Sequence, residues 1–252
     1  MAKSKWRKII TAGPLVLEAE YPAVVGRDQK TRAGKRKLSS EAQQRMNQKY
    51  SYQKLELMLA ANLTPGDLVV TLTYDDAHLP KSRKEAEAKL KYFRAKLASA
   101  RRKRGAPPLV MVWCTEHKHD EGRWHHHVAM NATGEDFTEI RKLWGQGTDV
   151  EIQRLRVDKE KNYLTLARYM CKETKDKLGL RSWSYTRTAK HPEVDTFRVE
   201  ADVPLSVPRG AVQLENVSVR TEYGHYKYIK YMWPAGAKQT KKTAAKRRRR
   251  RP

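Results

Sequence analysis

Two apolar runs of strand character, Leu109–Glu116 and Trp124–Asn131, are separated only by the charged stretch 117–122. So short a connection joins antiparallel strands, because a parallel crossover needs a dozen residues or more. This hairpin is the tightest constraint in the chain. Its second strand carries three consecutive histidines, His125, His126 and His127.

Alternate residues of a strand share a face. His125 and His127 therefore project together with Ala129. His126 points the other way, with the large apolar Trp124, Val128 and Met130. That apolar side is the one expected to meet the core. Glu116 ends the first strand and reaches across the hairpin, so two imidazoles and one carboxylate gather on one side. A structural zinc site usually wants four ligands rich in Cys and His. Here the two cysteines, Cys114 and Cys171, form no Cys-x-x-Cys spacing. Two His and one acid leave positions open for a divalent ion that also holds a phosphate oxygen. A slip of one residue exchanges the faces and makes His126 the ligand instead.

The surrounding pattern alternates. The apolar patch Pro14–Ala19 suits an added strand, and 27–38 is polar and basic and reads as a loop. Ser40 with Gln43 forms a capping box opening a helix to Asn62, with Leu55, Met58 and Leu59 on one side, and Pro65-Gly66 ends it. Leu68–Tyr74 is a β-branched strand. Ser82 with Glu85 caps a second helix, in which Ala86, Leu90, Phe93 and Leu97 fall at helical spacing. After the hairpin come a helix over Phe137–Trp144 closed by Gly145 and Gly147, a strand over Asp149–Arg156 and a helix over Asn162–Thr174. The order β-α-β-β-α-β-α predicts an α+β fold with an antiparallel ferredoxin-like, RRM-like sheet flanked by helices. Short strands are expected at 183–188, 196–200 and 211–220, and aromatics recur over Tyr223–Trp233.

The last of those helices carries Tyr169-Met170-Cys171-Lys172. Tyr169 and Lys172 stand at i, i+3 and share a face. A phenol near pKa 10 is a poor nucleophile at neutral pH, but cations and a metal-activated phosphate would help it ionise. Lys172 is placed to stabilise phosphate charge or aid proton transfer. Tyr163 is the rival nucleophile; six residues earlier, it points away from Tyr169 at about 100° per residue. Thr71 and Thr73 share one face of the first strand and are candidates to meet DNA or support the site. Arg123 and Arg168 flank the histidine and tyrosine motifs and are candidates to bind DNA. Arg181, Trp183, Tyr185 and Arg187 interleave cations with aromatics, a composition suited to single strands, though an exposed hairpin has much the same look.

Net charge decides the class of partner. It is +25; nine charges lie from Lys238 onward, leaving +16 on the rest of the chain. That balance favours nucleic acid over membrane, and no apolar run approaches the ~20 residues of a membrane span. With two isolated cysteines, reduced thiols in a cytosol are expected.

Together these residues resemble the HUH superfamily of rolling-circle replication initiators. His125-His126-His127 resembles its histidine–bulky–histidine motif, Thr71-Leu72-Thr73-Tyr74 its first motif, and Tyr169-x-x-Lys172 its third, all in family order over roughly residues 65–190. The tyrosine follows the histidines, unlike the permuted order of conjugative relaxases. No Gly-x-x-x-x-Gly-Lys-Ser/Thr helicase motif occurs, so the resemblance is to the compact, single-tyrosine phage and plasmid type.

The resemblance implies an HUH endonuclease fold and Mg²⁺ or Mn²⁺ held by Glu116, His125 and His127. Tyr169 is then the nucleophile with Lys172 as its helper. The product is a covalent 5′-phosphotyrosine on origin DNA, single-stranded or in a hairpin, in a bacterial cytoplasm. A host helicase and polymerase would complete replication. The expected layout is an N-terminal extension (1–64) packing on the core, the endonuclease core (65–190), a β-rich extension (191–237) and a disordered basic tail (238–252). The alternatives are a single-tyrosine transposase and a non-catalytic RRM-like binder.

Overall fold

A computed structural model describes residues 4–22, 41–117, 123–157, 163–172, 182–200, 202–221, 224–234 and 236–237. The loop expected at 27–38, the Ser40 cap, Arg181 and the basic tail at 238–252 lie outside the described residues. The chain divides into two compact units, one of residues 39–191 and one of residues 1–38 with 192–252.

The 39–191 unit is built on five strands: β3 (Leu68–Thr73), β4 (Met111–His117), β5 (Trp124–Met130), β6 (Val150–Arg154) and β7 (Ser184–Tyr185). Their order across the sheet is β6-β3-β5-β4-β7, every pair antiparallel. The first four strands thus adopt the expected split β-α-β order. One sheet face is covered by α2 (Arg83–Lys103) and α3 (Asp136–Trp144). Leu90, Phe93, Leu97, Ile140 and Trp144 from these helices meet Leu68, Val70, Leu72, Val128 and Met130 from the strands in one buried cluster. Each large apolar side chain so buried contributes about 2 kcal/mol.

The Ser82 hydroxyl caps α2 by accepting from the Glu85 amide, and the Glu85 carboxylate accepts from the Lys81 amide, one residue before the cap. The apolar stripe of α2 ends in a charge: Arg101 is 1% exposed and Asp136 is fully buried. Arg101 Nη2 lies 2.6 Å from Asp136 Oδ2 and 2.6 Å from the Asn131 carbonyl. This pair ties the end of α2 to the start of α3. After α3, Gly145 takes a left-handed φ of 55° as C-cap. A Cβ on Gly147 would stand 2.6 Å from the Thr73 carbonyl oxygen and 2.9 Å from the Asp75 nitrogen, so that close approach to β3 requires glycine.

The opposite face carries α4 (Leu164–Met170), which packs on α1 (Glu41–Asn62). The last helix is shorter than the expected 162–174. Tyr163 is its N-cap and Cys171 its C-cap, the Cys171 amide bonding back to the Ala167 and Arg168 carbonyls. Both cysteines are buried, and neither forms a disulfide. The strand expected at 183–188 is only the two residues of β7, paired with Val112 and Trp113.

The second unit is an antiparallel sheet of order β8-β1-β2-β10-β9: β1 (Lys5–Ala12), β2 (Leu15–Pro22), β8 (Glu193–Val199), β9 (Val212–Thr221) and β10 (Gly224–Met232). The 1–64 extension is therefore not a single body. Its strands pair with strands from beyond residue 191, while α1 belongs to the 39–191 unit. Pairing of strands nearly two hundred residues apart leaves no local periodicity to read. The buried ends are charged: Arg7 Nε donates to Glu20 at 2.9 Å, and Tyr231 donates to Glu18 at 2.7 Å. Of the aromatic stretch expected over 223–233, Tyr226, Tyr228 and Tyr231 lie in β10, whose Ile229 and Tyr231 join Val16 and Trp233 in a small core.

Candidate active site

The strand pairing places the histidines. Thr73 stands opposite His125 and Thr71 opposite His127 on one flank of β5; Glu116 and Cys114 stand opposite the same residues on the other. Directly opposed residues share a face, so Thr71, Thr73, Glu116, His125 and His127 lie together at the centre of the sheet. His126 goes to the other face. It is completely buried, with Nε2 2.8 Å from the Tyr74 hydroxyl and Nδ1 3.0 Å from Thr115 Oγ1. Both of its nitrogens are thus occupied, and its ring packs near Tyr74 and Trp144. Burial pushes its pKa down to about 3. The register read from the apolar pattern is the one found, and the slipped alternative is not.

Thr71 Oγ1 lies 3.3 Å from His127 Nδ1, and Thr73 Oγ1 lies 3.2 Å from His125 Nδ1. Each threonine hydroxyl is thus set against an imidazole of the cluster. With Nδ1 engaged, Nε2 is the nitrogen each imidazole would offer a ligand. His127 Nε2 is 2.6 Å from Glu116 Oε2 and donates to it. On the other side of the carboxylate, Lys172 Nζ is 3.1 Å from Glu116 Oε1.

Tyr169 enters from α4. Its hydroxyl is 3.4 Å from His127 Nε2, its ring meets the imidazole edge-on at 4.8 Å, and Lys172 Nζ sits 4.2 Å from its centroid. The i, i+3 spacing thus brings tyrosine and lysine to one spot even though α4 ends between them. Tyr163 is elsewhere: it is buried, its hydroxyl donates to the Leu63 carbonyl at 2.8 Å, and burial raises its pKa to about 12.

The charges are mutually tuned. Burial alone would raise the Glu116 pKa, but hydrogen bonds and charge from His127 and Lys172 outweigh it and hold the carboxyl below its ordinary value. Burial would lower Lys172, yet Glu116 carries it above the usual ammonium range. Tyr169 is raised, chiefly by burial, with Lys172 opposing and Glu116 adding to the rise. The resting phenol is therefore protonated, and a positive charge brought to this face is what would favour its ionisation.

The donor types, two imidazoles and one carboxylate, fit a divalent ion with open positions. Among the described residues, however, no three His, Cys, Asp or Glu side chains already converge as ligands. Glu116 and His127 face each other, and this contact would open for both to reach one ion.

The remaining candidates lie apart from this cluster. Arg123 is tied to Asp76 at 2.5 Å and donates to the Tyr74 carbonyl. Exposed Arg168 lies 5.5 Å from the Tyr52 ring centroid. Trp183 donates to the Ser51 carbonyl and lies beside Tyr185, which packs on His191. Arg187 is exposed just past β7. Sequence reasoning missed the Glu116–Lys172 ion pair and the second life of Tyr74 and Thr115 as partners of His126. Both partners of His126 stand in strand alternation with the site residues, which is the signal that was available.

Residues 67–174 match the family model for replication-associated proteins of the ORF2 type. The match runs from the start of β3 to just past Lys172, so it encloses Thr71, Glu116, the three histidines, Tyr169 and Lys172. It supports a place among replication initiators and a role in replication. No curated protein and no solved structure matches the chain. Among the described residues, no helix is long and apolar enough to cross a membrane.

Proposed function

We propose that the protein is a single-tyrosine nicking and joining endonuclease of the HUH type that initiates rolling-circle replication. The observation that carries this reading is the contact chain Tyr169–His127–Glu116–Lys172 on one sheet face, inside the segment matching the replication family. Mg²⁺ or Mn²⁺, held by Glu116, His125 and His127, would polarise the scissile phosphate.

The residues of the chain then act in sequence. Thr71 and Thr73 hold the imidazoles in the orientation that offers Nε2. Lys172, beside the Tyr169 ring, offsets the charge that develops on the phenol oxygen. That oxygen forms a bond to phosphorus while the bond from phosphorus to the 3′ oxygen breaks. The proton lost by the phenol ends on the 3′ oxygen, leaving a 5′-phosphotyrosine and a free 3′-OH to prime synthesis. Attack by another 3′-OH reverses the exchange and joins the strand. The ester count is unchanged throughout, so no ATP is consumed. The substrate in this reading is single-stranded origin DNA in the cytoplasm of a bacterial host, whose helicase and polymerase extend the strand.

The test is a covalent-adduct assay on labelled single-stranded DNA from the protein's own replicon, with Mn²⁺ or with EDTA. A metal-dependent, protease-sensitive adduct that is lost in Tyr169→Phe, with DNA binding retained, is expected. Tight binding with no adduct in the wild type would assign the chain to the non-catalytic binders. An adduct surviving in Tyr169→Phe would remove Tyr169 from the role.

A further inference from the structure

On the other side of β4 from the tyrosine centre, a groove of about 360 Å³ runs between α2 and the β4–β7 edge. Its walls include Lys91, Arg94 and Glu87 from α2, Trp113 and Thr115 from β4, and Trp183. We propose that this groove is a nucleotide subsite for single-stranded DNA, gripping the strand beyond the nucleotides at Tyr169. The proposal rests on the reading that the protein binds single-stranded DNA.

Three observations carry it. The first is charge. Glu87 is engaged by Arg83 at 2.8 Å, one helical turn away, so Lys91 and Arg94 set the field inside the groove. The whole chain carries +25, and a polyanion is the complementary occupant.

The second is flat apolar surface. The Arg94 guanidinium lies 4.4 Å from the Trp113 ring centroid. Bases stack on guanidinium planes as they do on aromatic rings, and here the two kinds of surface stand together in the groove wall. Trp183 adds a second, partly buried indole to the same wall. A purely electrostatic surface for an acidic protein has no need of either indole. A duplex reader would need an element shaped to enter a groove of the helix, whereas this is a concave slot.

The third is continuity. β7 pairs with β4 only at Val112 and Trp113. Cys114 and Thr115 follow, lining the groove, and Glu116 is the next residue of the same strand. A strand lying over Glu116 and turning around the edge of β4 therefore enters the slot within one or two residues of the site. The groove gives Lys91, Arg94 and Trp113 a role that no motif in the sequence suggested.

The test uses the full chain and a fluorescent 20-mer of deoxythymidine, followed by anisotropy at several salt concentrations. The wild type is compared with the Lys91→Ala, Arg94→Ala double variant, with thermal unfolding of both as a check on folding. Loss of the Lys91 phosphate contact and of the Arg94 stacking plane is expected to weaken binding about tenfold and to flatten the slope of log K against log salt by about 0.7. A 20-mer carrying 5-iododeoxyuridine should crosslink to the peptides of Trp113 or Trp183 in the wild type.

If the wild type binds the 20-mer and the double variant binds it equally, with no crosslink at either indole, the subsite is overturned and the nuclease reading stands. If the wild type does not bind the 20-mer at all, the subsite is overturned, and the adduct assay on the protein's own replicon decides the nuclease reading. If poly-glutamate of matched charge competes as well as the 20-mer, the groove is a general anion surface and the nucleotide subsite is overturned.

Discussion

Acidification should destabilise this protein through one residue, His126. The side chain has no exposed surface, and both its nitrogens are satisfied by Tyr74 and Thr115. Its pKa is pushed down from 6.5 to about 3, by burial first and then by the neighbouring His127 and His125 charges. Between these values the unfolded chain binds a proton that the folded chain refuses. Stability conferred by the neutral imidazole is therefore full above pH 6.5 and is lost as pH falls toward 3. Each pH unit in that window costs about 1.4 kcal/mol. From pH 7 to 4.5 the loss is about 2.5 kcal/mol, a large share of the ~5–15 kcal/mol that holds a domain folded. Urea unfolding at pH 7, 6, 5 and 4.5 would measure it, with hydrogen exchange of the β5 amides confining the readout to the 39–191 unit. Ordinary carboxylates begin to protonate at the lower end of this range, so a comparison protein that shares them is needed. His126→Gln, which does not titrate, is the comparison: lower stability at pH 7 but a flatter dependence on pH. Everything but residue 126 is common to the two proteins, so the difference between the two slopes belongs to His126. Equal slopes would refute the reasoning.

Three other outcomes are expected. Asp136→Ala leaves the buried Arg101 guanidinium without its carboxylate and should cost about 3–5 kcal/mol in urea unfolding; a loss below ~1 kcal/mol would show that Asn131 suffices as its partner. Gly147→Ala drives a Cβ against backbone atoms of β3 and should cost about 1–3 kcal/mol, read as a lower Tm, unless the turn shifts without strain. Thr71→Val removes the hydroxyl from His127 Nδ1 and should weaken Mn²⁺ binding about 10–100-fold by calorimetry; an unchanged affinity would leave Thr71 without a positioning role.

Most of the 39–191 unit was legible because its elements are locally consistent. The spacing of Ala86, Leu90, Phe93 and Leu97 is the buried face of α2, and the alternation through Trp124–Met130 gave the histidine faces correctly. Glu116 was placed because a short hairpin fixes which residues face each other. What escaped was non-local or ran against composition. Nothing near β1 in the chain announces that it pairs with β8. Arg101 occupies a core position that hydropathy assigns to solvent, and only Asp136, 35 residues on, makes that tolerable. Arg123 read as a free cation for DNA because Asp76 lies 47 residues earlier. Lys91 and Arg94 belong to no motif, and only the fold shows which strand edge they overlook.

The three consecutive histidines have a consequence for how such a protein can change. Adjacent residues of one strand answer to different demands: His126 must stay neutral and enclosed, while in the proposed reading its neighbours must stay available to a metal ion. Substitutions at His125 or His127 are therefore expected to leave a folded, inert protein, and substitutions at His126 a chemically intact but failing scaffold. An insertion of one residue within β5 would exchange these duties at a stroke. The strand is thus open to drift by substitution at its ends but closed to any change in its count, which confines variation in length to the loop before it.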